Sequence, residues 1–331
     1  MKSDEKKKLC ILIPTMNRPN CMDELLRAAI PCVNKTGVDV YVYDTSSNDD
    51  TKQLVEKYNH EAHGHFLYYK YDNYPDRTTD LKVIRAFREL EDKYEYVWLS
   101  GDGCILKITE MLKLIQENLN QEYDVIHFTG EDELGKPAVE VYDCPEKLFA
   151  DHGSFMTYYS ATILSGAFIK QIHWEKIGEE YRNSGFLFWK GIFEGLAEGN
   201  HKMAVVHRRH LMVNPYKKGN SSYGPGKFLR FWVRNWTKVV KSLPPCYDAY
   251  KEKVAIDVGV KQQFYKMDNL VRLRRTGNLN KELFDEYKDE FAEVTNVSLR
   301  KIYFAATMPK TLMIFYRAWF YAKYHWLVKL K

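Results

Sequence analysis

Short apolar runs alternate with amphipathic stretches along the first hundred residues. Four runs are short, continuous and β-branched or aromatic, which is typical of buried strands: residues 9–14, 38–44, 65–73 and 94–100. Apolar residues at helical spacing predict helices over residues 22–33, from about Thr51, and over residues 80–90. Strands that alternate with helices predict an α/β fold with a mostly parallel sheet of βαβ units.

Three of the predicted strands run directly into polar loops, at residues 15–18, 44–49 and 101–104. In an open parallel sheet, ligands bind beyond the carboxyl ends of the strands, so these loops are expected to meet at one edge. The sequence contains neither GxGxxG nor GxxxxGK[ST]. The missing patterns argue against a dinucleotide-dependent oxidoreductase and against a P-loop nucleotide hydrolase.

Length and cysteine usage favour a reduced, cytoplasmic protein. The chain of 331 residues is long enough for one large domain or for a domain with an appendage. The apolar run before Pro14 is too short for a secretion signal, and no window has the apolar length of a membrane span. The 6 cysteines form no CxxC pair, which favours free thiols.

Charge is divided unevenly between the two parts of the chain. Residues 1–200 carry 23 Lys and Arg against 34 Asp and Glu, whereas residues 201–331 carry 26 against 10. A basic C-terminal part indicates an anionic partner, although a merely soluble basic tail is the simpler alternative. We expect a catalytic domain over residues 1–215 and a basic, aromatic-rich helical extension over residues 216–331.

Three motifs in order carry a family resemblance: IPTMNRPN, VYDTSSNDDT and YVWLSGDG. Together they resemble the N-terminal half of family 2 glycosyltransferases, which have a GT-A (Rossmann-like) fold with a mostly parallel mixed sheet. The resemblance covers roughly residues 8–215. Residues 160–174 are similar to the abequosyltransferase-like subgroup, which builds bacterial surface polysaccharides such as capsule, exopolysaccharide and O-antigen.

The resemblance implies a site for a nucleotide-diphosphate sugar, with UDP or dTDP favoured because Asp44 would contact a pyrimidine base or the ribose. Arg18 and Arg77 would meet phosphates or ribose, unless they are solvated surface charges. Asp49 matches the second acid of its motif, but it could equally cap the following helix. The expected donor-binding residues are Pro14, Thr15, Asn17, Arg18, Asp44, Asp49, Arg77, Asp80, Gly101 and Asp102.

Asp102 is the only acid left in the turn that in this family reads Asp-x-Asp, often as Gly-Asp-Asp-Asp, and binds a divalent cation, Mn²⁺ or Mg²⁺. Gly103 and Cys104 stand at the following positions, and a thiol is a poor ligand for hard cations. Asp102 therefore binds the metal with few protein ligands, or cationic side chains replace the metal. His207 is a candidate metal ligand or cation, although a buried histidine satisfied by the core is an equal alternative.

The catalytic base of the family is also displaced. The resemblance places an acidic pair at the start of the helix in residues 184–199, where this chain has Leu187 and Phe188. Substitutes are Glu180, Glu194 and Asp151, each of which could instead have a structural role such as pairing with a neighbouring cation.

The C-terminal segment, residues 301–331, carries six Lys and Arg and no Asp or Glu, interleaved with tryptophans and tyrosines. This composition favours docking on an anionic membrane surface at the inner face of the cell membrane; packing in the core or a homo-oligomer contact is the alternative. No nucleic-acid-binding module accompanies the basic residues, so no nucleic-acid partner is expected.

The sequence thus favours a glycosyltransferase that acts on a lipid-linked or polysaccharide acceptor, and that inverts the anomeric centre. A catalytically inactive relative, acting as a binding or scaffolding subunit, is the alternative. Sugar-nucleotide synthesis is disfavoured because TMNRPN lacks the glycine-rich loop that it needs.

Overall fold

The computed structural model describes residues 7–61, 67–74, 78–107, 121–130, 135–217, 226–309 and 311–316. The chain divides into two compact units. The first unit comprises Met1–Lys218 and Leu243–Tyr250, and the second comprises Gly219–Ser242 and Lys251–Lys331.

The first unit is built on an eight-stranded sheet in the order β3-β2-β1-β4-β8-β6-β9-β7, and a two-stranded sheet pairs β5 with β10. The strands are β1 Lys7–Thr15, β2 Asp39–Asp44, β3 Leu67–Tyr71, β4 Tyr94–Leu99, β5 Cys104–Leu106, β6 Val125–Phe128, β7 Val139–Tyr142, β8 Thr162–Ser165, β9 Met203–Val206 and β10 Leu211–Val213. Strands β7 and β8 pair antiparallel with their neighbours, and the remaining pairs of the large sheet are parallel. The expected mostly parallel mixed sheet is confirmed.

Helices flank this sheet and form the described part of the second unit. Those of the first unit are α1 Pro19–Thr36, α2 Asp50–Glu61, α3 Thr79–Leu90, α4 Pro145–His152, α5 Gly166–Gln171, α6 Trp174–Tyr181 and α7 Leu187–Leu196. The following segments are α8 Lys227–Leu229, a π-helical turn at Arg230–Asn235, α9 Trp236–Lys241, α10 Asp248–Lys261, α11 Met267–Arg275, α12 Lys281–Val294 and α13 Leu299–Thr307. Among the described residues, no helix is long and apolar enough to cross a membrane.

Strand register brings the polar loops to one edge. Thr15 pairs with Asp44 at the ends of β1 and β2, and Leu12 pairs with Leu99 at the end of β4. Helix α1 begins at Pro19, before the apolar spacing starts, because proline is favoured in the first helical turn, where its missing N–H costs no bond. The chain therefore leaves β1 and enters α1 through only Met16, Asn17 and Arg18.

The core of the first unit also contains histidine rings that are kept neutral. His127 is fully buried, and His210 stacks on Phe128 with ring centroids 4.9 Å apart. Burial lowers the pKa of His152 and of His210 to about 4, and lowers the pKa of His127 well below its usual value. Each ring binds a proton more readily in the unfolded chain than in the fold.

We predict that the free energy of unfolding falls as the pH is lowered from about 6.5 towards 4, because these histidines are protonated in the unfolded chain but stay neutral while they are buried. Each histidine contributes at most about 1.4 kcal/mol per pH unit, and Asp80, whose pKa is raised to about 7, opposes this over the same range. Urea denaturation between pH 7 and pH 5 measures the slope. His210→Gln should reduce it, whereas His60→Gln, at an exposed position of α2, should not. An unchanged slope in His210→Gln would contradict the assignment.

Candidate functional site

Strand β4 ends in a tight turn that the rest of the first unit holds in place. The amide of Cys104 donates to the carbonyl of Gly101 at 3.1 Å, which closes the turn. The amide of Gly101 donates to the Ser160 hydroxyl oxygen at 2.9 Å, and the Ser160 carbonyl accepts from the Trp98 indole at 3.0 Å. This turn presents Asp102, which is buried with 6% of its surface exposed.

The carboxylate of Asp102 is bound by the loop that follows β1. Its Oδ2 accepts from the Thr15 hydroxyl at 2.9 Å, and its Oδ1 accepts from Arg18 Nη1 at 2.7 Å. The charge of Asp102 in turn raises the pKa of Arg18. Asp102, Thr15 and Arg18 were expected at the donor site, and the structure brings all three into contact.

Asp44 lies at the end of β2 with no exposed surface. Its Oδ1 accepts from the amide and the hydroxyl of Ser46, at 2.8 and 2.5 Å, and its Oδ2 accepts from the Tyr69 hydroxyl at 3.1 Å. A carboxylate has about four lone-pair positions, so these bonds leave capacity for a further donor. In the structure, Asp44 orders the loop after β2.

Asn17 joins the loops after β1 and β2. Its backbone has φ 54°, a left-handed conformation that asparagine tolerates. Its side-chain oxygen accepts from the amide of Ser47 at 2.9 Å, and its own amide donates to the Ser46 hydroxyl at 2.8 Å. Asp49 is exposed and immediately precedes α2, which is also where a capping residue would lie.

Lys82 is a buried cation below these loops that the sequence did not single out. Its ammonium donates to the Thr15 carbonyl at 2.6 Å and to the Thr45 hydroxyl at 3.1 Å. Burial lowers the pKa of Lys82 to about 8, while Asp44 and Asp102 act in the opposite direction. The lysine therefore ties the end of β1 to the loop after β2, and its charge interacts with both buried carboxylates.

Asp80, in the first turn of α3, accepts a hydrogen bond from the backbone just before α7. Its Oδ2 accepts from the Gly185 amide at 2.8 Å, and the Tyr159 hydroxyl donates to Oδ1 at 3.4 Å. Burial raises the pKa of Asp80 to about 7. Leu187 and Phe188, which stand where the family has its acidic pair, are buried.

The remaining base candidates have structural partners or an exposed position. Glu194 pairs with the buried Lys190 at 2.6 Å. Pairing with a neighbouring cation was the expected alternative to a catalytic role for this residue. Asp151 lies 3.3 Å from Lys147 and accepts from the Tyr142 hydroxyl at 3.4 Å. Glu180 is exposed on α6.

His207 follows β9, three strands from β4 in the sheet order, which corresponds to about 14 Å at the usual strand spacing. Its Nε2 lies 3.2 Å from Glu140 Oε2. The structure therefore places His207 away from Asp102. Arg77, the other predicted phosphate contact, lies outside the described residues.

Asn214 and Lys217 reach the site because β10 pairs with β5, with Val213 opposite Cys104. The amide of Asn214 donates to the Gly103 carbonyl at 3.0 Å. Its side-chain nitrogen donates to the backbone carbonyls of Cys21 at 2.8 Å and of Asp102 at 3.2 Å. Its own backbone carbonyl accepts from the Lys217 amide at 2.9 Å. Asn214 therefore joins the Asp102 turn, the start of α1 and the segment that carries Lys217.

The sheet with its flanking helices and edge loops has the GT-A fold of glycosyltransferases. No protein-family model and no curated protein sequence matches the chain. Among solved structures, it is similar to S. aureus TarS 1–349, with 14% identity, 90% of each chain covered and a TM-score of 0.54. That protein has also been solved with UDP and with UDP-GlcNAc, the latter giving a TM-score of 0.51 over 87% of this chain and 84% of the other.

A second similar structure is the mannosyltransferase PcManGT from Pyrobaculum calidifontis, solved with GDP-Man and Mn²⁺. It has 12% identity and a TM-score of 0.50, with 87% of this chain and 81% of that chain covered. At these identities the likeness establishes the fold.

We predict that Asn214→Ala destabilises the first unit by about 2–4 kcal/mol, because it leaves the carbonyls of Cys21 and Asp102 without their side-chain partner. Urea denaturation measures the loss. Asn34→Ala is the matched control, since Asn34 also donates to a carbonyl, that of Glu61 at 3.0 Å, but on the surface. Equal, small losses in both variants would contradict the bridging role of Asn214.

Proposed function

We propose that the protein is a glycosyltransferase that transfers a sugar from a nucleoside-diphosphate donor to a lipid-linked or polysaccharide acceptor in bacterial surface-glycan synthesis, with inversion. The observation that carries this proposal is the convergence of three loops at one sheet edge. There, the buried carboxylates of Asp44 and Asp102 lie among the cations Arg18 and Lys82. Such an edge suits a ligand with both a polar base and an anionic diphosphate.

UDP or dTDP is the favoured nucleotide. Asp44 accepts hydrogen bonds, and a pyrimidine N–H or a ribose hydroxyl can donate to it beside the Pro14–Thr15 backbone. Asn17, Asp49 and Gly101 line the same loops. The UDP and UDP-GlcNAc complexes of TarS support a uridine donor on this fold.

The Mn²⁺ in PcManGT raises the question of a divalent cation, Mn²⁺ or Mg²⁺, at Asp102. Such ions need several oxygen ligands. The Asp102 carboxylate is already paired with the Arg18 guanidinium, whose positive charge opposes a divalent cation at the same oxygens, and Gly103 and Cys104 add no hard ligand. These residues do not fit a divalent cation bound in the family's way.

For the catalytic base we retain Glu180, Glu194 and Asp151 as candidates. A carboxylate must take the proton of the acceptor hydroxyl as the new bond forms at the anomeric carbon. Glu194 remains partly exposed despite its pair with Lys190, so an acceptor can approach it.

We also propose a catalytic domain in residues 1–215 and an extension in residues 216–331. In this proposal, the second unit faces the acceptor and the membrane. Its described end exposes Ile314 and Phe315, at 69% and 71% of their surface, and residues 317–331 lie outside the described part. Exposed apolar side chains among cations suit the surface of an anionic leaflet, with the protein peripheral on the cytoplasmic face.

An inactive binding subunit is the second candidate function. The buried Leu187 and Phe188, in place of an acidic pair, favour it. Such a subunit would bind nucleoside diphosphates without consuming nucleotide sugars, so turnover of the donor separates the two functions.

We predict that the purified protein consumes a UDP-sugar or a dTDP-sugar, and that Asp102→Ala abolishes this activity because Arg18 and Thr15 lose the carboxylate that orders them. Release of the nucleoside diphosphate from a panel of nucleotide sugars measures it. Asp92→Ala, which removes an exposed partner of Lys170, is the control and should retain activity. An active, folded Asp102→Ala protein would remove Asp102 from the site, and binding without turnover in the wild type would favour the inactive subunit.

We predict that the full chain co-sediments with vesicles of phosphatidylcholine mixed with phosphatidylglycerol, and less so at high salt. Each cation near an anionic surface contributes about 1 kcal/mol, and salt screens this attraction. Truncation before Pro309 should release the protein into the supernatant. Equal binding to pure phosphatidylcholine vesicles, or a truncated chain that no longer folds, would favour packing or an oligomer contact instead.

A further inference from the structure

The position of Lys217 explains why the turn after β4 has glycine where an acid is expected. A Cβ on Gly103 would lie 2.9 Å from Lys217 Cδ and 3.3 Å from both its Cγ and its Cε. The aliphatic stem of Lys217 therefore lies directly against the Gly103 backbone. A side chain of any kind at Gly103 would have to displace the lysine.

Lys217 is held by the fold rather than extended into solvent. Asn214 fixes its backbone, and its ammonium donates to the Tyr158 hydroxyl at 3.1 Å while lying 5.4 Å from the centre of that ring. The Tyr158 hydroxyl is also 3.3 Å from Cys104 Sγ. Gly103 and Cys104, the two departures from the acidic motif, thus accommodate Lys217 and its tyrosine partner.

Arg18 places a second cation at the same turn. Its Nη1 bond to Asp102 uses one of the five N–H donors of the guanidinium, and its side chain is 38% exposed. Burial and the charge of Asp102 raise the pKa of the Cys21 thiol, and the charges of Arg18 and Lys217 act in the opposite direction. Both cations therefore lie close enough to the first turn of α1 to act on the same thiol.

We propose that Arg18 and Lys217 together bind the diphosphate of the donor, so that the site recognises a nucleoside diphosphate without a divalent cation. This inference rests on the proposed function and deepens it. On transfer, the bond between the anomeric carbon and the β-phosphate oxygen breaks and its electron pair leaves with the nucleoside diphosphate. The acceptor oxygen bonds to the anomeric carbon, and its proton passes to a carboxylate base. The two cations stabilise the charge that develops on the departing phosphate oxygen.

The arrangement assigns different tasks to the residues of the turn. Asp102 is a positioning residue, because its carboxylate orients Arg18. Asn214 and Tyr158 position Lys217. A lysine ammonium carries a compact charge that suits a phosphate oxygen, and the planar guanidinium can bind two oxygens at once.

Calorimetric titration of the full chain with UDP and with UMP, in buffer containing EDTA, tests the proposal. Wild-type protein should bind UDP with the same affinity in EDTA and in Mn²⁺. Lys217→Met should weaken UDP binding about tenfold to hundredfold, the usual range for a lost charged hydrogen bond, and should weaken UMP binding much less. The ratio of the two dissociation constants is the readout, since a merely structural defect would lower both affinities together.

Two further variants sharpen the test. Lys35→Met, at an exposed position in the last turn of α1 and thus towards the opposite edge of the sheet, is the matched control and should keep the wild-type ratio. Gly103→Ala retains the lysine but displaces its stem, so it should reduce the preference for UDP in the same direction as Lys217→Met.

UDP binding that requires Mn²⁺ and is lost in EDTA would overturn the proposal while leaving the proposed function intact. An unchanged ratio in both Lys217→Met and Gly103→Ala would overturn it as well. Wild-type protein that binds no nucleoside diphosphate under either condition would overturn the proposed function together with this inference.

Discussion

The buried carboxylate of Asp102 is the constraint on which the candidate site depends. An ionised carboxyl with 6% exposure is stable only when donors compensate its charge, and Thr15 and Arg18 supply them. Because Thr15 ends β1, Arg18 follows that strand and Asp102 follows β4, the interaction closes one edge of the sheet. The side chain of Asn214, just after β10, donates to the Asp102 carbonyl and so joins that strand to the same turn. Three segments that are distant in sequence thus meet at this turn.

The positive side chains around this turn differ in how deeply they are buried. Lys82 is buried between β1 and β2, and its pKa is lowered to about 8 by that burial. Arg18 is partly exposed and Lys217 lies over glycine. The proposed diphosphate site uses the two outer cations, while Lys82 secures the strands beneath them. This division follows from burial, since a fully buried ammonium already uses its donors on protein oxygens.

The first four strands and the helices between them could be predicted from the sequence, because each one buries its own apolar residues at the spacing of a strand or a helix. It also predicted that Thr15, Arg18, Asp44 and Asp102 lie near one another, since residues at the ends of parallel strands meet at one edge. Asn214 was missed because it is 112 positions from Asp102, and only the β5–β10 pairing brings it there. His207 was grouped with Asp102 because the sequence does not reveal that β8 and β6 lie between β4 and β9. The position of the base, Glu180, Glu194 or Asp151, depends on where an acceptor lies, which neither strand order nor register determines.

A crystal structure of the protein with UDP, grown in the presence of EDTA, is the most direct test of a metal-free diphosphate site. We expect the uracil and ribose beside Pro14, Thr15 and Asp44, with the diphosphate between Arg18 and Lys217. We also expect Asp102 to keep its bonds to Thr15 and Arg18. A diphosphate bound elsewhere, or UDP that enters the crystal only with Mn²⁺ and then places the metal on Asp102, would contradict this binding mode.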